Sequence, residues 1–293
     1  LPQINSRKAE LDKYWPDGSK NVCISEYGIF NHSGDVVQSQ THAVYIAENL
    51  MEFVNLGVSY TKKHCLIDFP AGDVLGPGKQ ALILATKNSD GTYDYYGTPS
   101  LEVLKLFNTM SGTQVVASEI TRNTQFYQGV ESINSLVTKD EQGNLYVIAI
   151  NAERDKEKAI SIQVDGMSLA GKTIQGMKLE SEDVYSVNSL NDPDNVKAQD
   201  FTLTCQDKTL EYTMQPHSVV AFRISADQEQ TADKTLLQKT YDYAKDLSTD
   251  GVTDTAKAAF EKALSEAKVV LDNPNATQTE VNDAWDALLE GIW

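Results

Sequence analysis

Residues 22–28 read Val-Cys-Ile-Ser-Glu-Tyr-Gly, an apolar run that ends on one carboxylate, Glu26. Parallel strands that are buried on both faces have near-continuous runs of aliphatic and β-branched residues. In (β/α)8 barrels the catalytic groups lie at the carboxyl ends of such strands, where Tyr27 and Gly28 would begin the next loop. The pattern therefore predicts a buried parallel strand that presents Glu26 at the rim of a barrel. Seven residues alone also fit a surface strand that ends on an acid, so the flanking sequence has to decide.

The flanking segments fit a strand–helix–strand arrangement. Residues 41–57 carry apolar side chains at helical spacing and end on a glycine, which predicts an amphipathic helix. A short apolar segment, residues 65–69, follows and predicts another strand, on which Asp68 is the acid. A further amphipathic helix is predicted for residues 4–15. We therefore expect the start of the chain to be a portion of an (α/β) barrel.

The middle of the chain changes to the period-two pattern of half-buried strands. Residues 145–150 form a continuous apolar run, and apolar residues alternate with polar ones in 160–164, 201–205 and 210–214. Residues 219–224 close the series, and turn-forming Asp, Asn, Gly and Pro separate the segments. Short strands with regular turns indicate an antiparallel β-sandwich. Beside the predicted barrel portion, such a domain could bind a ligand or serve as a packing support.

Several of these segments resemble one enzyme family. The words Ser-Glu-Tyr-Gly at 25–28, HAVYIAENLMEFVNLGV at 42–58, YSVNSLNDPDNV at 185–196 and LEYTMQPHSVVAFRI at 210–224 carry the resemblance. Together they are similar to the end of the barrel and the closing sandwich of α-L-arabinofuranosidases of glycoside hydrolase family 51. In that family an Asn-rich stretch ending Pro-Asp-x-Val precedes a final strand entered through Pro-x-Ser. The resemblance extends over residues 1–225.

The resemblance implies a retaining glycosidase that acts on arabinose-containing plant polysaccharide or oligosaccharide. Glu26 matches the catalytic nucleophile at the end of the seventh barrel strand, and Tyr27 is a candidate substrate-binding residue beside it. A retaining enzyme needs two carboxyl groups roughly 5 Å apart, one ionised and one protonated. Their environments must separate the two pKa values.

The partner carboxyl is not evident in the sequence. In the family, the acid/base is a Glu preceded by Asn at the end of the fourth strand, and no Asn-Glu pair ends a strand here. Glu48, Glu52 and Glu102 fall inside predicted helices, where a solvated face is the ordinary explanation. Asp68 is a possible stand-in for the acid.

The number of residues before the sandwich sets the expected domain organisation. A full barrel needs about 250 residues and eight βα units, which residues 1–97 cannot supply. We expect residues 1–97 to be the C-terminal portion of a catalytic barrel and residues 98–225 to be the β-sandwich. On this interpretation the chain alone is inactive, and the missing N-terminal part of the barrel is a candidate partner. The alternative is a non-catalytic accessory fragment that binds carbohydrate or cell wall.

The C-terminal region returns to helical spacing. Residues 226–235 form a polar linker, and three amphipathic stretches follow within 236–293. Thr277-Gln-Thr-Glu280 is a capping box that would open the third helix. We expect an up-down-up bundle in which Phe260 and Trp285 are core residues. Trp293 is not expected to be fully buried. The fold class is thus a multidomain α+β protein with a partial (β/α) barrel, a β-sandwich and a three-helix bundle.

Three short sequence segments of the C-terminal region resemble a known module. Ala263-Leu-Ser-Glu-Ala267, Asn275-Ala-Thr-Gln278 and Val281-Asn-Asp-Ala-Trp-Asp-Ala-Leu288 are similar to the FIVAR module of secreted, surface-attached bacterial proteins. The resemblance implies an extracellular or cell-surface location.

Composition excludes several classes of partner. The chain has 25 Lys and Arg against 42 Asp and Glu, a net charge of -17. Nucleic acids and anionic membranes need clustered basic residues, so neither is an expected partner. No run of the sequence approaches the roughly 20 apolar residues of a membrane-spanning helix.

The cysteines and histidines do not indicate a metal or cofactor. Cys23, Cys65 and Cys205 are odd in number and lack Cys-x-x-Cys spacing, so buried free thiols are expected. A Cys23–Cys65 disulfide is the alternative, if the two predicted barrel strands are neighbours. The four histidines are scattered, without the spacing of a zinc site. We expect no metal and no cofactor.

Overall fold

The computed structural model describes residues 2–29, 34–68, 80–226, 233–273, 276 and 278–292. The chain forms two compact units, one from residue 1 to residue 226 and one from residue 227 to residue 293. The division falls within the expected linker 226–235, of which residues 227–232 lie outside the described part. By contrast, the expected border between residues 97 and 98 falls inside the first unit.

The first unit combines helices with many short strands. In chain order its elements are α1 (Pro2–Tyr14), β1 (Ile24–Tyr27), α2 (Gly34–Val37), α3 (Gln40–Asn55), β2 (Thr61–Lys63), β3 (Ile67–Asp68), β4 (Ile83–Lys87), β5 (Tyr93–Gly97), α4 (Pro99–Thr109), β6 (Gln114–Val115), β7 (Gln125–Tyr127), β8 (Val130–Glu131), β9 (Ile133–Lys139), β10 (Leu145–Asn151), β11 (Lys158–Ile162), β12 (Thr173–Leu179), β13 (Gln199–Thr204), β14 (Leu210–Met214) and β15 (Ser218–Ile224).

The largest sheet is antiparallel and has the order β13-β12-β15-β10-β9-β6. A second antiparallel pair, β11 with β14, packs on one face of it, which confirms the predicted β-sandwich. The other face is covered by α3 and α4. Alternate side chains of strand β10 contact the two covering layers. Ile148 and Ile150 lie in the apolar cluster with the helices, whereas Val147 and Ala149 lie in the cluster with the second sheet.

Helix α3 confirms the helix predicted from periodicity and attaches the opening of the chain to the sandwich. Ser39 caps its first turn by accepting a hydrogen bond from the Thr41 N–H. The Gln40 side-chain amide donates to the carbonyl oxygens of Leu179 and His217. These contacts, together with the apolar cluster that α3 shares with the sheet, make the expected barrel portion and the sandwich one packed body.

Strand β1 is followed by α3 and then by β2, which lies parallel to β1. The expectation that residues 65–69 supply the next strand of this series is wrong. The strand beside β1 is Thr61–Lys63, while Ile67–Asp68 pairs with β4 instead. The reason is that β2 has three polar residues and no apolar run, so hydrophobic pattern cannot detect it.

Strand β1 is less buried than its apolar sequence predicts. Ser25 and Glu26 are exposed, and Tyr27 is buried. Within the described residues, β1 has a hydrogen-bonded neighbour on one side only, namely β2. Val22, Ile24 and Tyr27 pack on the apolar cluster that includes α3, whereas Cys23, Ser25 and Glu26 are exposed.

The second unit contains three helices, α5 (Thr235–Ala244), α6 (Asp254–Asp272) and α7 (Gln278–Ile292). Their inner faces share one apolar cluster, which includes Leu237, Phe260 and Leu288. Trp285 is partly buried, and its indole N–H donates to the Thr240 hydroxyl at 2.8 Å. The expected capping box includes Thr277, which lies outside the described residues, as does Trp293.

All three cysteines are free thiols, so the Cys23–Cys65 disulfide is not formed. Cys205 is buried as expected, but Cys23 is exposed and Cys65 is intermediate. The expected burial of Cys23 is therefore wrong, because it precedes a strand that is covered on one side only. None of the helices in the described part of the chain is long and apolar enough to cross a membrane.

Candidate functional site

The carboxyl ends of β1 and β2 form a shallow open depression of about 250 Å³ around Glu26. Its lining residues are Ser25, Glu26, Lys62, Lys63, His64, Cys65 and Leu66. The Glu26 side chain is 53% exposed, and one of its oxygens lies 3.9 Å from Nε2 of His64. The structure thus places Glu26 at the end of a parallel strand, accessible from solvent and beside a histidine.

Lys63, one of the lining residues, connects the end of β2 to the residues that precede β4. The Lys63 ammonium donates to the carbonyl oxygens of His64 and Gln80. Burial lowers the pKa of Lys63 to about 8. The side chain of Gln80 is buried and closely approaches Gly28, where an added Cβ would lie 2.4 Å from the Gln80 Oε1. A glycine two residues after Glu26 therefore lets the β3–β4 region pack under the end of β1.

His42, at the start of α3, is fully buried. Burial, with a smaller contribution from the charge of Lys63, lowers the pKa of His42 to about 4, although the hydrogen bond to the Val37 carbonyl acts in the opposite direction. The Val37 carbonyl oxygen lies 2.6 Å from its Nδ1. At neutral pH the ring is uncharged and holds the start of α3 in place.

Tyr27 has a structural position. It is 8% exposed, lies in the cluster with α3 and the sheet, and meets the Phe53 ring edge-on at 5.2 Å between centroids. Burial raises the pKa of its hydroxyl. The contacts that the structure shows for this ring are with the core, and a substrate-binding role for Tyr27 stays a prediction.

The structure changes the interpretation of the other carboxyl groups. Glu48 and Glu102 were expected on solvated helix faces, but Glu102 is 6% exposed and accepts hydrogen bonds from Lys105 and the Ala198 N–H. Glu48 accepts from the Asn134 side chain at 3.0 Å, and burial raises its pKa to about 7. Both expectations are wrong, because the sheet lies against the helix faces that carry these acids.

A second carboxyl beside Glu26 is what retaining chemistry requires, and the lining of the depression contains none among the described residues. Asp68 ends β3, which pairs with β4 rather than with β1, and it does not line the depression. The described part of the chain also contains no group of three or more His, Cys, Asp and Glu residues suited to a metal ion.

Sequence reasoning missed the basic side of the depression. Lys62, Lys63 and His64 follow one another at the end of β2, and no apolar pattern marks that strand. The one available signal was position, since these residues come directly after the helix that follows β1. A short return strand is expected there in any βα unit.

The comparison with protein families matches residues 81–218 to the family described as the alpha-L-arabinofuranosidase C-terminal domain. The match begins in the residues that lead into β4 and ends at the first residue of β15, so it includes the sandwich apart from most of the last strand. This stretch is therefore similar to the C-terminal domain of glycoside hydrolases of family 51. Among curated protein sequences, none matches this chain.

Solved arabinofuranosidases share the fold of the chain. The arabinose complex of the Thermotoga maritima α-L-arabinofuranosidase has a TM-score of 0.58 and 17% identity, over 74% of this chain and 45% of that one. The family 51 enzyme of Thermotoga petrophila RKU-1 has a TM-score of 0.58 and 16% identity, over 77% and 49%. The family 51 enzyme of Xanthomonas axonopodis pv. citri has a TM-score of 0.55 and 19% identity, over 76% and 44%.

At such identities these similarities establish the fold, and the chain spans about half the length of the solved enzymes it matches. Fold alone does not determine function, which depends on the residues of the site.

Proposed function

We propose that this chain is the nucleophile-bearing part of a retaining α-L-arabinofuranosidase, with Glu26 as the nucleophile. One observation carries the proposal. Glu26 stands solvent-accessible at the carboxyl end of β1, in a βα unit that is fused to a sandwich matching the arabinofuranosidase C-terminal domain. In a double displacement, its carboxylate attacks the anomeric carbon, and water then hydrolyses the glycosyl ester.

The rest of the barrel is the partner that this function requires. Parallel strands with exposed side chains and free edges are an aggregation hazard unless something covers them. Strand β1 is paired on one side within the described residues, and its exposed positions include Glu26. We propose that further barrel strands pack beside β1 and β2 and bring the acid/base carboxyl to about 5 Å from Glu26.

Hydrolysis of a nitrophenyl α-L-arabinofuranoside tests this proposal. The chain by itself should release no nitrophenol, because the lining around Glu26 holds no proton-donating carboxyl among the described residues. A longer protein that contains this chain and the remaining barrel should hydrolyse the substrate, and Glu26→Gln in it should lower kcat by several orders of magnitude. Glu102→Gln, which changes a buried acid on α4, is the matched control and should leave kcat near normal. Near-normal turnover of the Glu26→Gln protein would remove Glu26 from the nucleophile role.

A second candidate function is favoured because none of the described residues that line the depression supplies a second carboxyl beside Glu26. The chain would then be an accessory part that binds carbohydrate or cell wall without hydrolysing it. Binding of a polysaccharide by a protein that stays inactive with all barrel strands present would support this candidate over the first.

We also propose that the protein acts outside the cell, either secreted or attached to the surface. The support is the resemblance of residues 263–288 to the FIVAR module, together with three helices that share one core in that unit. Fractionation of the producing cells, followed by immunodetection of the chain, tests the location. Recovery in the cytosolic fraction alone would contradict it.

A further inference from the structure

The hairpin of β4 and β5 presents two tyrosines on one face. In its antiparallel register Tyr93 lies opposite Lys87, and Tyr95 lies opposite Ala85. Opposed residues of an antiparallel pair point to the same face, so these four side chains share one side of the sheet. Tyr96 and Leu84 oppose each other on the other side. Leu84 is fully buried there, and Ala85 is also buried on the tyrosine side, so the exposed part of that side consists of Tyr93, Tyr95 and Lys87.

The two tyrosine rings are adjacent and partly exposed to solvent. Tyr93 is 38% exposed and Tyr95 57%. Their ring centroids are 6.4 Å apart and the ring planes are inclined to each other by 35°, so the two aromatic rings are neighbours on this face. The exposed pair Tyr14 and Trp15 differs, because its rings meet at 60° and present an edge rather than a platform.

The hairpin is held rigidly, so the platform is formed before any ligand arrives. The main chains of Asn88 and Thr92 are hydrogen-bonded at 2.8 Å, and the Asp90 carboxylate accepts from the N–H and hydroxyl of Thr92. Gly91 closes the turn at φ +86°, a conformation that favours glycine. At the other end of β5, the Asn188 side chain donates to the Gly97 carbonyl and ties the hairpin to the sandwich.

We propose that Tyr93 and Tyr95 form a binding platform for a neutral polysaccharide chain. Sugar rings have apolar C–H faces and polar rims, so they suit an aromatic surface that has hydrogen-bonding groups beside it. Lys87, exposed and directly opposite Tyr93, supplies a donor for hydroxyl groups. The centroid separation of the two tyrosines is on the scale of one sugar ring, so successive units of one chain can each contact a tyrosine.

Size and charge favour this ligand over other occupants. A stable protein–protein interface buries about 800 Å² on each partner, far more than two part-exposed tyrosines can offer. The net charge of -17 disfavours anionic polymers. Both tyrosines lie inside the stretch that matches the arabinofuranosidase domain. The choice of carbohydrate therefore rests on the proposed function, while the platform itself does not depend on Glu26 or on hydrolysis.

Affinity electrophoresis of the full chain tests the platform, with soluble arabinan or arabinoxylan cast in native gels. Both neutral polymers should retard the wild type, whereas polygalacturonate, an anionic polymer, should not. The double variant Tyr93→Ala/Tyr95→Ala should lose about tenfold or more in affinity, equivalent to about 1.4 kcal/mol.

Two control variants test whether the aromatic rings themselves are needed. Tyr93→Phe/Tyr95→Phe keeps both rings and should retain binding within a few-fold. Tyr127→Ala removes a tyrosine that is 71% exposed elsewhere in the unit and should change nothing. Circular dichroism and thermal melting establish that each variant is folded.

The outcomes separate this inference from the proposed catalysis. A folded double alanine variant that binds as tightly as the wild type would overturn the platform, as would a wild type that binds no neutral polymer. Self-association of the wild type that the double variant abolishes would assign this face to a second copy of the chain and also overturn it. Tyrosine-dependent binding by a chain without hydrolytic activity would support the platform whatever becomes of Glu26.

Discussion

Glu48 makes the free energy of unfolding depend on pH. Burial against β9, aided by the charge of Glu52, raises its pKa from 4.5 to about 7, although the Asn134 hydrogen bond acts in the opposite direction. An acid with a raised pKa in the folded state prefers to stay protonated. Its folding penalty is therefore absent below pH 4.5, grows between pH 4.5 and 7, and is complete above pH 7.

We predict that Glu48→Gln stabilises the first unit at pH 8 by roughly 1–3 kcal/mol and has no effect at about pH 4.5. Glutamine keeps an oxygen that can accept from Asn134 but carries no charge. Thermal melting at the two pH values measures the difference, with Glu102→Gln as a control buried carboxyl. A Glu48→Gln protein that is less stable at pH 8 would show that the charged form is well accommodated in the fold.

Gly112 is a position where a methyl group has no room. An added Cβ would lie 2.1 Å from the Lys139 carbonyl carbon and 2.6 Å from the Asp140 nitrogen, both of which are backbone atoms that cannot rotate away. We predict that Gly112→Ala costs about 2 kcal/mol or more. Gly129→Ala meets no atom within 4 Å and should cost about 1 kcal/mol, because only its φ of +77° is unfavourable. Equal losses in urea unfolding of the two variants would contradict the close approach at Gly112.

For single residues, the sequence pattern predicted the position within a strand or helix but not the neighbouring side chains or the burial. Glu26 was predicted at a strand end, and β1 does present it there. The burial of Glu102 could not be predicted, because no sequence signal tells whether a sheet covers an acid on a helix. The distance of 3.9 Å between Glu26 and His64 likewise depends on β2, which is three polar residues long.

Among the elements, helices α5 and α7 are connected in part through Trp285. The indole N–H of Trp285 donates to Thr240, and the ring packs partly buried against the shared core. We predict that Trp285→Ala costs about 2–3 kcal/mol, less than the roughly 3–5 kcal/mol of a fully buried large aromatic residue. For a unit of this size that is a large part of the total stability.

Thermal melting of the isolated segment 233–293 measures this effect. Leu236→Ala, at a residue 58% exposed on α5, is the control and should change the free energy of unfolding by less than about 0.5 kcal/mol. A Trp285→Ala segment that melts like the wild type would mean that the indole contributes no packing. It would also make Trp285 a candidate sugar-stacking residue.

The long elements were predictable and the short ones were not. Helices α3 and α6 show 3.6-residue periodicity over many residues, and β10 and β15 have apolar runs that only a covered strand tolerates. Strand β2 has too few residues for any period to appear. Strand β2 pairs with β1 because α3, packed on the six-stranded sheet, returns the chain beside β1. That return depends on tertiary packing, which local sequence does not show.

At the scale of the whole molecule, the two compact units should unfold separately. Their clusters of buried apolar residues have no members in common, since one set lies within residues 1–226 and the other within residues 233–292. Differential scanning calorimetry of the full chain should show two transitions. Separately expressed segments 1–226 and 233–293 should reproduce them within a few degrees. One cooperative transition, absent from both segments, would show that the units need each other to fold.

The proposed nucleophile, Glu26, would form the covalent glycosyl-enzyme of a retaining mechanism. A cyclic epoxide with the arabinofuranose configuration esterifies the nucleophile of such an enzyme irreversibly, so it marks the reacting carboxylate directly. The measurement is intact-mass and peptide mass spectrometry after incubation of the longer protein that contains the whole barrel.

We expect one added label per protein, located on the peptide that contains Glu26 and absent from the Glu26→Gln variant. Competition with free arabinose should slow the labelling. A label on a different carboxylate, or an active protein that hydrolyses arabinofuranosides and takes up no label at Glu26, would contradict the assignment of Glu26 as the nucleophile.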